Sequence, residues 1–126
     1  MDLNQVTIHA PDVAACTEFY RTLGLRLIVD SRPRYVRFEC PDGGSTFSIH
    51  HLDGTSATGG AVVYFECDDL DERVARLKAS GIEFDSDPED MRWLWREARL
   101  RDPAGHQVCL FRAGENRRHP PWRVGD

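Results

Sequence analysis

The feature that most constrains this chain is that it repeats itself. Asp12-Val13 recurs as Asp69-Leu70 and Gly24-Leu25 recurs as Gly81-Ile82, the second copy following the first by 57 positions. That is close to half of a 126-residue chain, so a fold of two similar modules is expected before any other motif is weighed.

Within each copy the pattern reads strand, helix, strand. Asp12 and Asp69 are placed to cap helices near Val13–Leu23 and Leu70–Ser80, because a short carboxylate can accept from the unpaired N–H groups of a first turn. Val13, Cys16, Tyr20 and Leu23 recur at helical spacing, as do Leu70, Val74 and Leu77, giving each helix one apolar stripe. Gly24 and Gly81 stop the helices. The period then changes from 3.6 to 2. Strands are expected near Leu25–Val29, Tyr35–Cys40 and Thr46–Leu52, and again near Ile82–Phe84, Met91–Arg101 and Gln107–Arg112. Pro41-Asp42-Gly43-Gly44 and Asp102-Pro103-Ala104-Gly105 supply turns, and the Gly-, Ser- and Thr-rich stretch Asp53–Gly60 reads as the linker. The expected class is α+β: two tandem βαβββ modules, about 3–52 and 61–112, forming a concave, partly closed mixed sheet with helices outside. An irregular tail, 113–126, completes a single domain, 1–126.

Composition narrows the function classes. No apolar run is long enough to span a membrane, and no charged leader precedes an apolar segment, so a cytoplasmic protein is expected. The formal charge of −5 argues against a nucleic-acid partner. Cys16, Cys40, Cys67 and Cys109 never form a CxxC pair. They read as small, buried, reduced side chains rather than a zinc cluster or a disulfide framework.

Phe19-Tyr20 before Leu23-Gly24, together with Asp-Pro-x-Gly before the final strand, resembles the vicinal oxygen chelate superfamily, the glyoxalase, bleomycin-resistance and extradiol dioxygenase family. The resemblance runs from about Leu3 to Arg112. It implies the paired βαβββ fold and one divalent metal held by His, Gln or Glu from the first and last strand of each half. Carried over one at a time, those positions fall on Gln5, Ser48, Val62 and Cys109. Only Gln5 is a ligand of the family's type. Ser48 is a poor neutral ligand, Val62 has no donor atom, and Cys109 is a soft ligand without a histidine beside it. The resemblance therefore implies a degenerate metal site, no cofactor, and, as in many such proteins, a homodimer.

Strand alternation supplies an independent list of site residues. With Val6, Ile8, Phe47, Ile49, Ala61, Val63, Phe65, Val108 and Leu110 turned to the helices, the concave face receives Gln5, Thr7, His9, Thr46, Ser48, His50, Val62, Tyr64, Glu66, Gln107, Cys109 and Phe111. The same rule adds Tyr35, Arg37 and Glu39, and Trp93, Trp95, Glu97 and Arg99. His9, His50, Tyr64, Glu66, Trp95, Glu97, Arg99 and Phe111 form the candidate ligand-binding set, mixing aromatics with charges of both signs as an ionisable organic ligand needs.

Each feature also has a plainer reading. The expected parallel pairing of the first and fourth strands sets His50 beside Thr7 rather than His9. His9, His50 and Glu66 are then cavity-wall groups, a proton-transfer set or a displaced metal site. Arg37, Glu39, Glu97 and Arg99 are ligand-binding charges or a cross-strand salt-bridge ladder. The aromatics stack on a flat ligand or fill the cup themselves. The acidic runs Asp68-Asp69, Asp71-Glu72 and Asp85–Asp90 suit a capped helix and a solvated loop better than a metal. Three functions follow: metal-free binding or sequestration of a small organic ligand; a lyase or isomerase with a non-standard metal or acid–base site; or a domain with a self-filled cavity that acts through a partner.

Overall fold

The structure is a computed structural model, and it describes residues 2–54 and 61–125. The expected linker falls largely on 55–60, outside the described residues. Two compact units emerge: residues 1–60 with the turn 102–106, and residues 61–101 with 107–126.

In the first unit the order is β1 (Gln5–Ala10), α1 (Val13–Leu23), β2 (Arg26–Ser31), β3 (Tyr35–Glu39) and β4 (Thr46–His51). The sheet is open and mixed, ordered β1-β4-β3-β2, with β1 parallel to β4 and the other pairs antiparallel. Asp12 caps α1 as expected, accepting from the Ala15 N–H at 3.0 Å. Gly24, at φ 113°, ends the helix in the left-handed region. Tyr20 packs its ring on Phe38 and Phe47, so α1 covers the sheet face bearing Val36, Phe38, Phe47 and Ile49, all buried. The Tyr20 hydroxyl donates to Asp102 at 2.6 Å, and the same carboxylate accepts from the Ala104 and His106 N–H groups. Burial, then the Asp102 charge, drives the Tyr20 phenol above its ordinary value and pushes the nearby Cys16 thiol up to about 12.

The second unit repeats the plan: β5 (Val62–Glu66), α2 (Leu70–Ala79), β6 (Glu89–Asp90), β7 (Arg96–Arg101) and β8 (Gln107–Arg112), in the sheet order β5-β8-β7-β6. Leu70, Val74 and Leu77 are buried, as are Ala98, Leu100, Val108 and Leu110 on the sheet. Both helices end alike: Leu25 N–H bonds Tyr20 C=O and Ile82 N–H bonds Leu77 C=O, each at 3.0 Å. The βαβββ modules are therefore both present, as two open four-stranded sheets that share no strand among the described residues.

Five local expectations need correction. Asp69 makes no side-chain cap; its carboxylate is taken by Arg73 and Arg76 at 3.0 and 2.9 Å. Residues 82–84 form no strand, because Ile82 is still closing the helix, and β6 supplies the edge instead. The strand expected from Met91 begins only at Arg96: Leu94 N–H turns back to Met91 C=O, and Leu94 sits at φ 69°, outside the β region. Cys40 and Cys67 are half-buried, whereas Cys16 and Cys109 are buried; all four are free thiols. The tail, expected to be wholly irregular, makes one 3₁₀ turn, Gly114–Arg117.

Candidate functional site

Strand alternation and helix position together define one helix-free face in each unit. In the first unit that face carries two rows across the sheet, Thr7–Ser48–Arg37 and His9–His50–Tyr35. His50 thus pairs with His9, not with Thr7: the parallel strands run one residue pair further out of step than alternation alone predicts. The two imidazoles meet edge to face at 6.0 Å, and Tyr35 lies 6.1 Å from His50 on the other side. Both histidines are exposed.

A hydrogen-bond chain runs through the same face. Gln5 Nε2 donates to Ser48 Oγ at 2.9 Å, Ser48 Oγ lies 2.7 Å from the Tyr35 hydroxyl, and Arg37 Nε donates to that hydroxyl at 2.9 Å. Thr46 donates to the Gln5 amide oxygen. Ser48 is fully buried. Burial raises the Tyr35 phenol, but the hydrogen bonds from Ser48 and Arg37 and the Arg37 charge outweigh it and leave the phenol below its ordinary value. Glu39 turns to Arg26 at 3.0 Å, so Arg37 and Glu39 form no ladder with each other.

In the second unit the matching rows are Tyr64–Cys109–Arg99 and Glu66–Phe111–Glu97. Here the expected residues do come together. Trp95 stacks on Phe111 at 4.7 Å, and Tyr64 meets both edge to face, at 5.9 and 5.6 Å. Cys109, Phe111 and Ala113 form a buried cluster, with Val62 and Trp95 packed against it. Glu97 is 1% exposed and accepts from Trp93 Nε1 at 2.7 Å and Arg99 at 3.1 Å, with the Cys109 thiol 3.7 Å away. Burial and then Glu97 push that thiol up to about 12. Arg99 also reaches the Tyr64 hydroxyl at 3.0 Å. The Glu97–Arg99 contact lies along one strand, so it is not a cross-strand ladder either. Trp93 lies outside the strand, in the turn before it.

Glu66 is occupied differently: its carboxylate accepts from the Ala113 and Gly114 N–H groups at 2.7 and 2.9 Å, fixing the start of the 3₁₀ turn. A recess of about 320 Å³ in this unit, lined by residues 85–86, 99–101 and 107–108, shares only Arg99 with the candidate set. Among the described residues no group of three or more His, Cys, Asp or Glu is arranged to hold a metal, and no helix is long and apolar enough to cross a membrane.

The candidate list omits Tyr35, Arg37, Ser48 and Gln5 as a group. Alternation puts all four on one face, but only the register reveals that their polar atoms connect. Ser48 is the signal in the sequence: a hydroxyl in mid-strand between Phe47 and Ile49 needs a partner once buried.

Comparison with known proteins adds the family. Residues 2–110 match the model of the Glyoxalase/Bleomycin resistance protein/Dioxygenase superfamily. Among curated proteins no sequence matches significantly. Among solved structures, a glyoxalase/bleomycin resistance protein/dioxygenase from Nocardioides is 26% identical, with 99% of this chain and 90% of that one covered at a TM-score of 0.79. A lactoylglutathione lyase from Agrobacterium tumefaciens is 23% identical, covering 88% and 92% at a TM-score of 0.74. A bleomycin-binding protein complexed with bleomycin is 20% identical, covering 89% and 98% at a TM-score of 0.71. With both βαβββ modules in place and the family model spanning nearly all of them, the chain belongs to the glyoxalase/bleomycin resistance protein/dioxygenase superfamily.

Proposed function

We propose that this protein binds a small organic molecule without a metal. The observation that carries the reading is what occupies the four positions where the family resemblance implies ligands. Ser48 is buried with its oxygen between Gln5 and Tyr35, and the Gln5 amide oxygen is engaged by Thr46. Val62 offers no donor atom and packs into the second unit's cluster, and Cys109 is a buried thiol beside Glu97. One engaged amide, one buried hydroxyl, one buried thiol and one residue with no donor atom do not fit a catalytic divalent ion, which needs about three protein ligands of the His, carboxylate or thiolate kind. The faces around these positions carry binding chemistry instead: exposed imidazoles in one unit, and in the other a ring cluster whose Tyr64 is 40% exposed. That one neighbour in fold holds bleomycin is consistent with sequestration as the role. We place the protein in the cytoplasm as a homodimer, an assembly that light scattering would check.

A second reading, a lyase or isomerase using acid–base groups, is favoured by one observation, the His9–His50 contact. The experiment separating the two starts with elemental analysis and native mass spectrometry of purified protein. The binding reading expects a co-purifying organic molecule, no stoichiometric metal, and a melting midpoint unmoved by chelator. Trp95→Ala should weaken retention of that molecule by about 1–3 kcal/mol. About one metal per chain, lost in Gln5→Ala, overturns it.

A further inference from the structure

The protons of the first unit's hydrogen-bond chain can be assigned by elimination. Thr46 donates to the Gln5 amide oxygen, which turns the Gln5 amide nitrogen toward Ser48 and makes Ser48 Oγ an acceptor. Ser48 is fully buried, so its own proton needs an acceptor, and the Tyr35 oxygen stands 2.7 Å away. Arg37 Nε donates to the same oxygen. Tyr35 thus accepts twice, and its single O–H is left without an acceptor among the described residues. Tyr35 is half-buried and Arg37 exposed, so this end of the chain meets solvent while the Ser48 end does not.

Arg37 is unspent in the same sense. It uses Nε on Tyr35 and joins no ion pair among the described residues, leaving both terminal nitrogens of a planar fork without a partner there. The carboxylate two residues away, Glu39, is held by Arg26. The groups that Tyr35 and Arg37 leave over are therefore donors, and the one full charge on the pair is positive.

We propose that Tyr35 and Arg37 form an oxyanion site on the first unit, taking the carboxylate or phosphate group of a small ligand between the phenolic O–H and the terminal guanidinium nitrogens. Ser48 and Gln5 are positioning residues: they fix the Tyr35 oxygen from the buried side and so aim its proton. His50, 6.1 Å from the Tyr35 ring, and His9 beyond it border the site along the next row. The inference rests on the ligand-binding reading and sharpens it to an anionic ligand. A guanidinium presents two parallel N–H groups to a carboxylate or phosphate edge, and the phenol supplies a third donor.

The test is NMR titration of the full chain at neutral pH and low salt with three probes sharing a ring: benzoate, phenyl phosphate and benzylamine. Low salt matters because an exposed charge is screened. The two anions are expected to shift the Arg37 side-chain and Tyr35–Arg37 backbone signals, and the tighter of them tells carboxylate from phosphate. Losing a charge-assisted bond should weaken anion binding about tenfold or more in Arg37→Gln. Arg37→Lys should recover only part, because it keeps the charge but not the fork. Tyr35→Phe removes the free proton, keeps the ring and should also weaken the anions; it carries the test if Arg37→Gln does not fold. Equal anion affinity in both variants overturns the site. Benzylamine binding at Trp95 while neither anion binds also overturns it, yet leaves the ligand-binding reading standing. If none of the three binds and no molecule co-purifies, both fall.

Discussion

The two modules put an arginine at the matching point of their separate sheets and use it differently. Arg37 pairs in register with Ser48 on β4, and Arg99 with Cys109 on β8. Two residues earlier stand Tyr35 in one case and Glu97 in the other. Glu97, buried and negative, draws Arg99 into an ion pair, and Tyr64 adds a hydroxyl; the matching Thr7 is too short to do so for Arg37. A neutral phenol orients Arg37 without cancelling it. In a duplicated fold, the side chain two positions back thus decides whether a guanidinium is consumed by the structure or left for something else.

That contrast is open to direct attack through stability. Glu97→Ala strands the Trp93 N–H and the Arg99 guanidinium, and should cost about 2–4 kcal/mol in urea unfolding. Arg99→Ala should cost about 1–2 kcal/mol, discounted because the side chain is 35% exposed. Arg37→Ala should stay within about 0.5 kcal/mol of wild type. Equal losses at Arg37 and Arg99 would break the comparison.

The helices differ as well, with Tyr20 in α1 where α2 has Leu77. The folded state holds the Tyr20 proton past the ordinary phenol value near 10, and the Cys16 proton from near 9 to about 12. Both values are raised on folding, so the stability they contribute is complete below pH 9 and is lost as pH rises from there, where the unfolded chain ionises first. Urea midpoints should fall between pH 9 and 12, and less steeply in Tyr20→Phe with Cys16→Ala. An unchanged slope in that double variant would refute the assignment.

The smallest expected effect sits at the helix starts. Asp12→Ala removes a true cap and should cost about 1 kcal/mol. Asp69→Ala removes no cap, only partly exposed ion pairs, and should cost less. The reverse order would mean that the arginine pairs, not capping, hold the first turn of α2.

The repeat made the architecture legible in the sequence, because matched Asp and Gly positions at one spacing leave few topologies. Both helix starts were correct, since periodicity and punctuation agree there. What failed was local competition. Asp69 has arginines one and two turns along, and a carboxylate takes a guanidinium in preference to an amide. Met91–Trp95 alternates well enough for a strand, but Leu94 turns the chain first. The site was half legible. Alternation puts Tyr64, Trp95, Glu97, Arg99 and Phe111 on one face, whereas the chain from Gln5 to Arg37 depends on a register that periodicity does not carry.

The turn 102–106 belongs to the second module in sequence and to the first unit in space. Its Asp102 receives the Tyr20 hydroxyl across 82 positions of chain. On the ribosome α1 therefore emerges long before the Asp102 carboxylate that its buried phenol meets in the folded chain. A gene cut between the modules would encode a first half that still needs this turn.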